Sequence, residues 1–93
     1  MEEINIKGKL FKAIHVKTDK SNLLAIYGSK GFLACKYIRL ESANKLNEAV
    51  AIVTGVKNYD DMLKATVIEV SNEAKKLGIK EGDLGIDALM KIN

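Results

Sequence analysis

Two side chains in this sequence are suited to covalent chemistry, a thiol and an imidazole. Cys35 is the only cysteine and His15 the only histidine. A thiol attacks as its thiolate, which needs a nearby cation, a helix N-terminus or a paired base. Lys36 follows Cys35 directly on an expected strand, so it points to the opposite face. His15 sits on a different expected strand. A Cys35–His15 couple therefore requires those strands to adjoin, or two subunits to bring the residues together. Otherwise Cys35 reads as a small buried hydrophobe and His15 as a partly exposed strand histidine. One cysteine and one histidine leave no Cys/His metal cluster within the chain. No acidic group has calcium-loop spacing. The expectation is no metal and no cofactor.

The remaining motif-like segments are better read as backbone punctuation. Gly28-Ser29-Lys30-Gly31 resembles a nucleic-acid-clamping GxxG loop on paper, but that loop joins helices and this one joins two strand-like runs. Gly82-Asp83-Leu84-Gly85 lies between helices, yet Asp83 has the wrong charge to clamp a phosphate. Thr54-Gly55-Val56-Lys57 lacks P-loop spacing. Asp60-Asp61 fits the first turn of a helix, where the dipole favours carboxylates.

Charge and composition narrow the partners. Fifteen basic against twelve acidic residues give +3. The excess is concentrated in residues 1–36, which hold seven lysines and three carboxylates. Arg39 is the only arginine, although arginine is the usual bidentate reader of guanine and phosphate. Nucleic acid is not an expected partner. No apolar run is long enough to cross a bilayer, and Met1-Glu2-Glu3 does not open a secretory signal. With an unpaired thiol, these features lead to a cytoplasmic location as the expectation.

The elements that must position Cys35 and His15 are strands. Residues 2–7 and 9–18 read as strands around Gly8, with Leu10, Ile14 and Val16 alternating against Phe11, Ala13 and His15. Residues 22–28 and 31–38 form a stronger hairpin. A two-residue loop at Ser29-Lys30 places Leu24, Ile26, Leu33 and Cys35 on one face. It places Leu23, Ala25, Tyr27, Phe32 and Ala34, with Lys36, on the other. Both faces are apolar, whereas a sheet with one wet face alternates apolar with polar. One face can cover the chain's own helices. The other then needs a second copy, so Leu23, Ala25, Tyr27, Phe32 and Ala34 are the candidate oligomer interface.

Downstream, Ser42 suits the N-cap of a short helix over 43–48. Ala49 to Val53 suits a strand buried on both faces. Asn58 caps a helix through Ala65. Val67, Val70, Ala74 and Leu77 form a helical stripe, and Gly78-Ile79 matches a left-handed C-cap. Asp83 suits the cap of a last helix carrying Ile86, Leu89 and Met90. The expectation is one α+β domain over residues 1–93. Residues 1–40 are the β-rich oligomerisation region, an antiparallel pair of hairpins. Residues 41–93 add one buried strand and hold most of about four short helices.

An ordered set of segments resembles the YunC-like family of small bacterial and archaeal domains of unknown function. It comprises Gly31-Phe32-Leu33-Ala34-Cys35, then Gly55-Val56-Lys57, then Asp61-Met62-Leu63 and Ala65, and finally Leu77-Gly78-Ile79, Gly82, Gly85 and Ala88-Leu89. The resemblance implies an α+β fold whose N-terminal β region mediates tetramer-like assembly, with no assigned activity. One departure is Lys36, which stands where the family often has glycine. The leading functional expectation is a homo-oligomeric domain with a structural or ligand-binding role, its small-molecule pocket lying between subunits. The alternative is a thiol-dependent enzyme or redox-responsive protein using Cys35.

Overall fold

The computed structural model describes all 93 residues. Its strands are β1 (Glu2–Ile6), β2 (Lys9–Lys17), β3 (Asn22–Tyr27), β4 (Gly31–Cys35), β5 (Ala49–Val53) and β6 (Glu69–Val70). Its helices are α1 (Leu40–Lys45), α2 (Tyr59–Lys64), α3 (Asn72–Lys76) and α4 (Gly85–Ile92). The strands form one mixed sheet in the order β1-β2-β3-β4-β5-β6. Every neighbouring pair is antiparallel except β4–β5, which is parallel and therefore needs the crossover that α1 supplies.

The hairpin register follows from the Ser29-Lys30 loop. Tyr27 pairs with Phe32 and Ile26 with Leu33, and the Gly28 N–H donates to the Gly31 carbonyl at 2.9 Å. Glycine at 31 is required by close approach, because a Cβ there would strike the Ala49 carbonyl on the parallel neighbour. Alternation then sorts the side chains. Ala13, Ile26, Leu33, Ala51 and Val70 form a continuous row across five strands. They belong to a core of nineteen buried residues that also holds Phe11, Met62, Val67, Ile79, Leu89 and Ile92. Helix α4 packs here against β4 and β5, and α3 against β5.

The opposite face carries the row Ile14, Ala25, Ala34, Ile52 and the row Lys12, Tyr27, Phe32, Val50. A second, smaller cluster forms from Ala25, Ala34, Ala43, Val50 and Ile52. Ala43 comes from α1, so that helix covers the β5 side of this face. Nothing comparable covers the β2–β4 side, where Val16 stays exposed and Ile14, Tyr27 and Phe32 are only partly buried.

Four sequence expectations change. The stripe Val67, Val70, Ala74, Leu77 is not one helix, since Glu69–Val70 pairs with β5 and only Asn72–Lys76 is helical. Ser71 ends the strand and caps the helix, its side chain accepting from the Ala74 N–H. Helix α1 begins at Leu40, three residues before the expected start, with Arg39 at its N-cap and no capping side chain. Strand β4 stops at Cys35 instead of residue 38, because the chain turns there and the Ile38 N–H returns to the Cys35 carbonyl at 3.1 Å. Finally, Leu84, not Asp83, is the N-cap of α4.

Asp83 instead accepts from the Lys80 N–H at 2.9 Å and pairs with Lys91 at 3.5 Å. That main-chain bond chiefly holds its carboxyl below the usual Asp value; burial opposes it, and the charges of Lys91 and Lys80 add to the lowering. A depressed folded pKa stabilises the fold above the unfolded value and loses that contribution as pH falls through the folded one. Acid unfolding of the wild type is therefore expected to retain a component below about pH 4 that Asp83→Asn lacks. Circular dichroism of both proteins across acid pH measures it. Superimposable stability profiles would contradict the assignment.

Candidate functional site

Cys35 lies at the carboxyl end of β4, in register with Val53 at the carboxyl end of β5. It is 4% exposed, and its Sγ accepts the Leu24 N–H at 3.3 Å. The thiol thus takes the place of a ladder carbonyl where β3 and β4 begin to part, since their last regular pair is Ala25 with Ala34. Cysteine suits this position as a small apolar group with a weak acceptor.

His15 does not serve it as a base within the chain. β3 lies between β2 and β4, so two strand spacings of about 4.8 Å separate the lines on which the residues sit. The exposed imidazole is otherwise engaged. Its Nε2 meets Asn22 Oδ1 at 2.7 Å, and its ring stands edge-on to Tyr59 with centroids 5.9 Å apart. The Tyr59 hydroxyl is sealed from solvent without a hydrogen-bond partner, and its pKa is raised, first by that burial and then by the Glu2 carboxylate. Sequence reasoning passed over both Asn22 and Tyr59, because a single polar residue at the start of a strand or a helix has no motif to mark it.

Asn22 connects this group to a cleft of about 300 Å³. Asn22, Cys35, Lys36, Tyr37, Thr54 and Gly55 are among its walls. The loops that follow β4 and β5 build it, at the carboxyl ends of the one parallel pair. Crevices in that position are where open sheets with parallel strands commonly bind ligands. This cleft at Cys35 lies inside a single chain and needs no second subunit to form it. A larger hollow, about 390 Å³, opens at the other end of the same strands. Tyr27, Phe32, Lys30, Glu48 and Glu73 line it, far from the thiol in the sheet. The Cys35 cleft is the stronger candidate, because it alone gathers hydroxyl, carboxamide and thiol groups at the carboxyl ends of the parallel strands.

The other candidates have structural explanations. The Gly28–Gly31 loop is pinned to the C-terminal helix, with the Lys30 N–H donating to the Ile92 carbonyl at 2.8 Å. That leaves it no freedom to clamp a nucleic-acid backbone. Asp61 accepts from the Lys57 N–H at 3.0 Å, and its own N–H donates to Asn58 Oδ1 at 2.8 Å. It is a helix-start carboxylate, as its spacing suggested.

Of the five interface candidates, Ala25 and Ala34 are 2% and 0% exposed and lie inside the second cluster. They form a floor rather than a contact surface. Tyr27 and Phe32 stay partly exposed, with rings stacked 4.7 Å apart at 26°. Leu23 packs against the larger core, although alternation assigns it to the opposite face. It lies beyond the last regular β3–β4 pair, where strict alternation no longer governs its surroundings.

Three similarities bear on identity. A family model described as a domain of unknown function, DUF1805, matches residues 34–92. The uncharacterized protein YunC of Bacillus subtilis (strain 168) is 33% identical over 93 residues, covering 96% of this chain and 92% of that protein. Among solved structures, a protein of unknown function, TA1206 from Thermoplasma acidophilum, is similar with a TM-score of 0.93 at 39% identity. That similarity covers 99% of this chain and 90% of the other. With its matched residues spanning β4 to the end of α4 and a relative similar along nearly its whole length, the chain belongs to the DUF1805 family.

Proposed function

We propose that this protein is a self-associating domain that holds a small ligand in the Cys35 cleft. The observation that carries the reading is the cleft itself. It brings Asn22, Tyr37 and Thr54 around a half-open space at the carboxyl ends of β4 and β5. Polar groups converging on an apolar-floored concavity are the usual form of a small-molecule site. The reduced thiol in its wall suits a cytoplasmic setting.

Amide chemical-shift mapping with a mixed set of neutral, anionic and cationic small molecules tests it. Shifts are expected to concentrate at Tyr37, Thr54 and Gly55. Shifts confined to Tyr27, Phe32 and Glu73 would move the site to the opposite hollow, and shifts nowhere would end the ligand-binding reading.

Self-association has its own support. The β2–β4 side of the second sheet face still carries Ile14, Val16, Tyr27 and Phe32 without a covering element. The sheet edges offer little for pairing, since β6 has two residues and β1 carries Glu2 and Glu3. A second copy stacked face to face fits the charges as well as the apolar surface. Lys12 stands at the β2 end of the Tyr27–Phe32 row and Glu48 borders the hollow at its β5 end. A two-fold axis lying between the sheets and parallel to the strands sets these unlike charges opposite each other. The assembly proposed is a homo-oligomer, with a tetramer as the expected state from the family resemblance.

A further inference from the structure

We infer that the ligand of the Cys35 cleft is a small oxyanion, a carboxylate or a phosphate. This rests on the cleft being the ligand site and adds the chemistry of what it holds. No Asp or Glu lines the cleft, and Lys36 is its one charged side chain. Ser21, Tyr37 and Thr54 supply hydroxyl groups around it. The main-chain N–H groups of Lys36, Tyr37, Thr54, Gly55 and Val56, on the two loops that build it, find no main-chain acceptor. Donors of this kind, with one cation and no competing carboxylate, match the several acceptor lone pairs of an oxyanion. The opposite hollow has the reverse character, because Glu48 and Glu73 line it.

Lys36 is available for the role. Its Nζ is turned toward a neighbouring hollow that Lys36 also lines, where it pairs with Glu69 at 3.1 Å, but the side chain is 59% exposed and such surface pairs hold weakly, so it is free to swing to the cleft. An anion in the cleft competes with Glu69 for the same ammonium group.

The test is a titration of the isotope-labelled full chain with inorganic phosphate and, separately, with acetate and succinate at constant ionic strength. Amide shifts at Tyr37, Thr54 and Gly55 are expected to saturate. The anion that saturates at lower concentration distinguishes phosphate from carboxylate. Lys36→Gln is expected to weaken binding about tenfold, the loss of one charge-assisted hydrogen bond. Glu69→Gln is expected to tighten it about twofold to fivefold by freeing the lysine. Both substitutions are at surface positions, and their melting curves establish that the fold is kept. Unsaturated shifts spread over the N-terminal lysines would overturn the proposal, as would unchanged affinity in both variants. Saturation by neutral amides or alcohols but not by anions would overturn the oxyanion chemistry and leave the cleft as a ligand site. A cleft silent to every class of compound would remove both readings.

Discussion

A Phe32→Glu variant is expected to scatter light as a single chain of 10.2 kDa, while the unaltered protein scatters as an oligomer. Phe32 stacks on Tyr27 and stays partly exposed on the part of the second sheet face that α1 leaves uncovered. In a face-to-face assembly the substitution removes one buried aromatic side chain, worth about 1.5–3 kcal/mol. It also places a carboxylate among apolar groups without a partner, which costs several kcal/mol more. Together these weaken association by roughly a thousandfold or greater. Far-UV circular dichroism should be retained, because the helices α2, α3 and α4 pack on the opposite face. Since Phe32 also touches the smaller internal cluster, Val16→Glu provides an independent arm. Val16 is exposed in the single chain, so its replacement does not strain the protomer. If both variants keep the mass of the parent, the second sheet face is not the contact.

This expectation was legible in the sequence because β3 and β4 are apolar at almost every position. Glycines 28 and 31 fixed the turn, the turn fixed the register, and the register sorted each side chain to a face. What the sequence withheld was the partner of each face. Ala25 and Ala34 alternate correctly toward the second face, yet their small side chains are sealed there by larger neighbours and by Ala43 from the crossover helix. Alternation gives direction only, and exposure depends on elements distant in the chain. The same limit applies at the site. Cys35 stood out as a residue type, but Asn22 and Thr54 reach its cleft only because strand order places three strand ends together. Within one chain the Cys35–His15 couple is prevented for the same topological reason, since β3 intervenes.

The segment from Val67 to Leu77 was misread for a different reason, and it produces the second large effect. Val67, Val70, Ala74 and Leu77 are spaced for one helical face, but a two-residue strand followed by a short helix gives the same buried set. Ser71 is what separates the alternatives. It is fully buried, and its hydroxyl uses all its bonding capacity. The Oγ donates to the Glu48 carbonyl at 2.7 Å and accepts from the Val50 N–H at 2.8 Å and the Ala74 N–H at 3.3 Å. One side chain thus fastens β5 where it enters the sheet and caps α3 in the same stroke. Ser71→Ala leaves the buried Val50 N–H unsatisfied, at about 1–3 kcal/mol, turns the part-buried Glu48 carbonyl over to solvent, and removes a helix cap worth about 1 kcal/mol. The expected total is about 2–4 kcal/mol, a fall in melting temperature of roughly 10–25 °C for a domain of this size. Calorimetry of the variant measures it. A shift under a few degrees would mean that water replaces the hydroxyl, and that the strand-to-helix junction is held by apolar packing of Val70 and Ala74 alone.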